Sequence, residues 1–111
     1  MWRCWLAIWI VVLSACGQAA AQSWPSRPIR AIIPFGPGSA VDVVPRMVFE
    51  QMSAQLGQSI VVENRGGAGG TIGSTAVAKA EPDGYTILVH SSAHTITPSI
   101  YPKLSYDVRR D

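Results

Sequence analysis

The stretch "VVENRGGAGGTIGS", Val61 to Ser74, carries five glycines in the eight residues from Gly66 to Gly73. A glycine lacks the Cβ that would hold a ligand away from the backbone. Where such a run opens into a helix, the first turn leaves N–H groups unpaired and with a partial positive charge. Gly67, Ala68, Gly69 and Gly70 are therefore a candidate anion site, able to take a carboxylate or phosphate without any charged side chain. About half of the glycines are expected to serve only left-handed turn geometry or close packing of helix on strand.

Spacing argues against a nucleotide. A Walker loop ends in Gly-Lys-Ser/Thr, and no lysine lies between Gly66 and Ala78. The dinucleotide pattern G-x-G-x-x-G fails as well, because Gly67 and Gly69 are followed by Ile72 where the third glycine belongs. The acidic residue that pattern expects further on is absent, since the next apolar run ends in "LVHSS". Catalytic signals are equally thin. The nucleophile elbow G-x-S-x-G does not occur. His90 and His94 stand four apart, but a strand end running into a turn is not expected to bring them to one face, and no acid is near in sequence. Asp42 has the chemistry of a general base, yet a carboxylate at a helix start already has a structural reason to be there. No cofactor, metal or catalytic residue is assigned, and the chain is not expected to be an enzyme.

The elements around the loop must explain where it sits. "IRAIIPF", Ile29 to Phe35, is short, β-branched and closed by a Pro/Gly cluster, so it reads as a buried strand. After the turn "GPGS", Val41, Val44, Val48, Met52 and Leu56 follow at helical spacing. They predict an inward face, with Arg46, Glu50 and Gln51 outward. Ser39 and Asp42 are placed to cap that helix and Gly57 to end it, while Pro45 fits only in the first turn. "SIVVEN", Ser59 to Asn64, is the second strand; the glycine loop and a helix over about Thr71 to Ala80 follow. "YTILVHSS", Tyr85 to Ser92, is the third strand, and "AHTITPSIYPKL" holds a short helix. This β-α-β-α-β order predicts a right-handed, doubly wound, mainly parallel sheet whose post-strand turns share one edge. Ligands bind at that edge in such folds.

The first residues belong to another function. "MWRCWLAIWIVVLSACGQAAAQ" has a short positive start at Arg3 and an unbroken apolar run from Trp5 to Leu13, followed by small residues. That run is far short of the roughly 20 residues a membrane span needs, and the whole reads as an export signal over residues 1–21. Two cleavage points compete. Ala19-Ala20-Ala21 suits an ordinary signal peptidase, and Leu13-Ser14-Ala15-Cys16 resembles a bacterial lipobox whose Cys16 would be acylated. The two cysteines, Cys4 and Cys16, both precede residue 22, so residues 22–111 have no thiolate chemistry and no disulfide. Beyond Arg3, eight Lys/Arg face seven Asp/Glu with no basic cluster larger than Arg109-Arg110. Nothing there marks a nucleic-acid surface, and a small partner is expected.

"RPIRAIIPFGPGSAVDVV", "LGQSIVVENRGGAGGTIGSTAVAKAEPDGYTILV" and "PSIYPKLSYD" together resemble the N-terminal portion of the Bug family. These are the TctC-like extracytoplasmic solute-binding proteins of tripartite tricarboxylate transport. The resemblance implies a periplasmic protein of two α/β lobes closing on a small carboxylated solute as a Venus flytrap does, for delivery to membrane transporter subunits. It implies no catalysis. By motif, Phe35, Gly38, Ser39 and Asp42 match the first ligand turn, with Ser39 where a glycine is usual and Val41 where a threonine is common. Gly67, Ala68, Gly69 and Gly70 match the second turn, and Ser91 and Ser92 fall in the third. Family members are much longer, so residues 22–111 are expected to be part of the first lobe of a truncated member. Two rival readings stay open: a membrane-anchored sensor or interaction lobe with no transport role, and a small nucleotide-binding enzyme.

Overall fold

The computed structural model describes residues 23–111, so the export signal, Cys16 and both cleavage points lie outside the described residues. Three strands, β1 (Ile29–Ile33), β2 (Ile60–Asn64) and β3 (Thr86–Leu88), form one sheet in the order β2-β1-β3. Both pairings are parallel, with Ile29 beside Ile60 and Arg30 beside Thr86. Three helices connect and follow them: α1 (Ala40–Leu56), α2 (Thr71–Ala78) and α3 (Ala93–Ile100), with a 3-10 turn at Ala68–Gly70 directly before α2.

The central position of β1 follows from its composition. Ile29, Ala31, Ile32 and Ile33 are each at most 3% exposed, as a strand covered on both faces requires. The chain moves from β1 outward to β2 and then back past β1 to β3. Two right-handed crossovers in opposite directions put α1 and α2 on opposite faces of the sheet. This is the doubly wound α/β arrangement expected from the element order. The turn after β1 and the turn after β3 flank the point where the strand order reverses.

Three local expectations are corrected. β1 and β3 are shorter than the apolar runs suggested: Pro34 and Phe35 leave β1, and beyond the last bond to β1, from the Val89 N–H to the Ile32 carbonyl at 3.0 Å, His90 to Ser92 form the turn. The inward face of α1 is different: Val44 and Val48 are 59% and 52% exposed, whereas Asp42 and Phe49 are buried. The stripe facing the protein is Asp42, Pro45, Phe49, Met52 and Leu56, still helical in spacing but rotated about the axis. Pro45 also sits within α1 rather than in its first turn. The end of α1 is as expected: Gly57 takes φ 67° and its N–H donates to the Ser53 carbonyl at 3.0 Å. Among the described residues no helix is long and apolar enough to cross a membrane.

Candidate functional site

Parallel strands bring the turns Pro34–Ser39, Arg65–Gly70 and Val89–Ser92 to the same edge of the sheet, and each is built differently. The first turn is tied by side chains. Asp42, 3% exposed, accepts the Gly38 N–H on Oδ2 at 2.9 Å. Its Oδ1 accepts Asn64 Nδ2 and Arg46 Nε, each at 2.9 Å. Asn64 Nδ2 also donates to the Phe35 carbonyl at 3.0 Å, and its Oδ1 accepts Arg46 Nη2 at 3.1 Å. The Asn64 amide above all, then the Gly38 N–H and the Arg46 guanidinium, hold the Asp42 carboxyl below the usual carboxylate value despite its burial. Asp42 thus fastens the first turn to the end of β2. Ser39 is the first residue before α1, but its hydroxyl makes no capping bond and is buried without a protein partner, so the expected Ser39–Asp42 capping pair does not form. The carboxylate reaches back to Gly38 instead.

The second turn is held by shape. Gly67, Ala68, Gly69 and Gly70 take φ of 119°, 47°, 65° and 90°, a run of four left-handed residues. A Cβ on Gly70 would stand 2.5 Å from His90 Nε2, one on Gly69 2.9 Å from the Tyr101 hydroxyl, and one on Gly67 2.7 Å from Ile72 Cδ1. A Cβ on Gly73 would lie 2.9 Å from the Arg65 carbonyl oxygen and 2.8 Å from Pro34 Cβ, which lets α2 press on the end of β1. These glycines therefore have packing reasons as well as conformational ones. Their donors divide unevenly. The Gly70 N–H, expected to be bare, donates to the Gly67 carbonyl at 2.9 Å. The N–H groups of Gly66, Gly67, Ala68 and Gly69 donate to no protein acceptor among the described residues, and all four residues are exposed.

The third turn is aromatic. His90 packs edge-on against Phe35, with ring centroids 5.1 Å apart, and lies 4.9 Å from His94, which stacks on Tyr106. The two histidines do meet, contrary to the expectation from strand-to-turn geometry, because α3 begins at Ala93 and folds His94 back. No group of three metal-ligating side chains accompanies them among the described residues. His90 Nδ1 lies 2.9 Å from the Ser91 backbone nitrogen and 3.2 Å from the Ser91 carbonyl oxygen, and Nε2 is buried with no protein partner among the described residues. Burial first, and then the neighbouring His94 charge, push the His90 pKa below its ordinary value. Ser91 Oγ accepts the Ala93 N–H at 3.3 Å, and Ser92 precedes α3 with its carbonyl accepting the Thr95 hydroxyl.

Phe35, Gly38, Ser39, Asp42 and Gly67 to Gly70 thus gather on two adjacent turns, with Ser91 and Ser92 on the third. Sequence reasoning missed Asn64, Arg46, His90 and Tyr101 as parts of this edge. Arg46 sits one helical turn beyond Asp42, a pairing visible from spacing. His90 and Tyr101 gave no such signal, since their neighbours come from other segments. A groove at the opposite edge of the strands, beside Arg27, Arg30, Lys79 and Asp83, has its arginines engaged. Arg27 pairs with Asp83 at 2.7 Å and lies over the Tyr85 ring, and Arg30 lies 3.7 Å from Glu63.

Comparison with known proteins agrees with this geometry. The family described as "Tripartite tricarboxylate transporter family receptor" matches residues 44–111, and the chain belongs to it. Its members are solute receptors rather than enzymes. The protein BugT of Bordetella pertussis is 40% identical over 108 residues, which are 96% of this chain and 33% of that protein. A UPF0065 protein of Bordetella bronchiseptica is 50% identical over 94 residues, or 84% of this chain and 28% of that one. The chain therefore spans about a third or less of the length of these relatives. Among solved structures, MatC from Rhodopseudomonas palustris with bound malate superposes with a TM-score of 0.69 at 37% identity, covering 77% of this chain and 29% of that one. A second R. palustris protein, solved with adipate, superposes with a TM-score of 0.68 at 33% identity, covering 79% and 30%.

Proposed function

We propose that this chain forms part of the first lobe of a periplasmic receptor that captures a small di- or tricarboxylate for a tripartite transport system. The observation that carries the reading is the run of unpartnered N–H groups from Gly66 to Gly69 on a left-handed loop at the ligand-binding edge of a parallel sheet. A run of free backbone donors can hold an anion, and exposed backbone admits a flat carboxylate at close range. Phe35 on the adjacent turn supplies an apolar wall. Relatives solved with malate and adipate are consistent with a dicarboxylate. In this reading residues 1–21 direct export, and the membrane subunits of the transporter take the solute onward. Asp42 serves by positioning, since both of its oxygens are occupied by protein donors.

The test is titration of the full chain with malate, succinate and adipate, with inorganic phosphate as the control. Heat of binding should be accompanied by amide shifts at Gly66 to Gly69 in heteronuclear NMR spectra. Carboxylates that leave those four amides unmoved would remove the loop from the site.

A further inference from the structure

We propose that the Tyr101 hydroxyl is a side-chain donor of the glycine-loop site, acting with the free N–H groups of Gly66 to Gly69 on one carboxylate of the ligand. The assignment rests on the anion-site reading above and names a residue outside the three post-strand turns, within the segment "PSIYPKLSYD". Tyr101 follows the last residue of α3, 32 positions beyond Gly69 in the chain, yet its phenol oxygen stands 2.9 Å from where a Cβ on Gly69 would be. Its ring carbons Cε2 and Cζ lie at 3.0 and 3.3 Å from the same point. Any residue other than glycine at position 69 would meet the phenol, so the loop and the ring are fitted to each other. Gly69 itself takes φ 65° and is exposed, with its N–H unpaired.

The ring is delivered there by a defined structure. The Tyr101 N–H donates to the Thr97 carbonyl at 2.9 Å, and the buried Thr97 sends its hydroxyl to the Ala93 carbonyl at 2.8 Å. Pro98 and Pro102 restrict the backbone on either side. Tyr101 is exposed at 36%, and its phenol oxygen has no protein hydrogen-bond partner among the described residues, so it is open to a ligand as it is to solvent. By contrast, the Tyr85 hydroxyl is committed to Ser26. An uncommitted O–H against Gly69, on a loop whose Gly66 to Gly69 N–H groups are also uncommitted, can add a donor to a carboxylate held there.

The experiment is Tyr101→Phe in the full chain, which keeps the ring on Gly69 and deletes only the oxygen. Titration with malate, succinate and adipate should show affinity reduced by about fivefold to tenfold, with the thermal midpoint unchanged and the Gly66 to Gly69 amide shifts reduced in amplitude. Equal affinity in wild type and variant would make Tyr101 a packing residue and overturn the proposal while leaving the anion site standing. A midpoint that falls together with affinity would give the hydroxyl a structural role and overturn it as well. Wild-type protein that neither binds the acids nor shifts its loop amides would defeat the anion site, and Tyr101 with it.

Discussion

The first and second turns lie side by side on one sheet edge and are fixed by opposite means. The turn Pro34–Ser39 spends hydrogen bonds: Asp42, Asn64 and Arg46 saturate one another and clamp the Gly38 N–H and the Phe35 carbonyl. The turn Arg65–Gly70 is fixed by exclusion, with His90, Tyr101 and Ile72 occupying the places of absent Cβ atoms. A turn held through its polar groups has few left for a ligand. A turn held through contacts keeps its N–H groups free. Adjacent segments of one site can thus divide the work, one supplying rigidity and the other donors.

The largest expected effect comes from removing the polar clamp. Asp42→Ala leaves the Gly38 N–H, the Asn64 amide and the Arg46 guanidinium without their shared acceptor, and should lower the thermal midpoint by about 10 °C or more. The same network predicts an acid limb. Because the folded state holds the Asp42 carboxyl below its ordinary value of 3.8, its contribution is present above that value and is lost as pH falls through the lowered one. Acid unfolding followed by circular dichroism should show this limb in wild type and a shallower one in the variant. A variant as stable as wild type would mean that the first turn does not depend on its clamp.

Disturbing the second turn should act on binding more than on folding. Gly69→Val places a branched side chain against Tyr101 in a left-handed backbone, and should weaken malate or adipate binding by at least about tenfold, or about 1.4 kcal/mol. Full binding by the variant in calorimetry would show that the loop is only a turn.

The smallest effect concerns the third turn, whose His90 touches both of the others. The fold favours the neutral ring, so its contribution is full above the ordinary value of 6.5 and declines as pH falls through that value toward the lowered folded one. The thermal midpoint of wild type should fall modestly between about pH 7.5 and 5.5, and that of His90→Asn should vary less over the same range. Parallel curves would show that His90 does not couple the turns to pH.

Much of this was legible in the chain. The β-α-β-α-β order, the parallel sheet and the stop at Gly57 all follow from local composition and spacing, and the family motifs lie in the same segments. What failed is instructive. α1 is apolar on more than one side, with Val43, Val44, Met47 and Val48 all exposed, so hydrophobic periodicity alone could not say which side meets the sheet. The rotation was decided by a buried polar contact, Asp42 to Asn64 across 22 residues, since turning the valines inward would carry that carboxylate away from its donors. Likewise the sequence determines that Gly69 and Gly70 are free of side chains. Only the tertiary structure decides that Tyr101 and His90 fill the spaces they leave, because those contacts join segments whose separation in the chain carries no periodic signal.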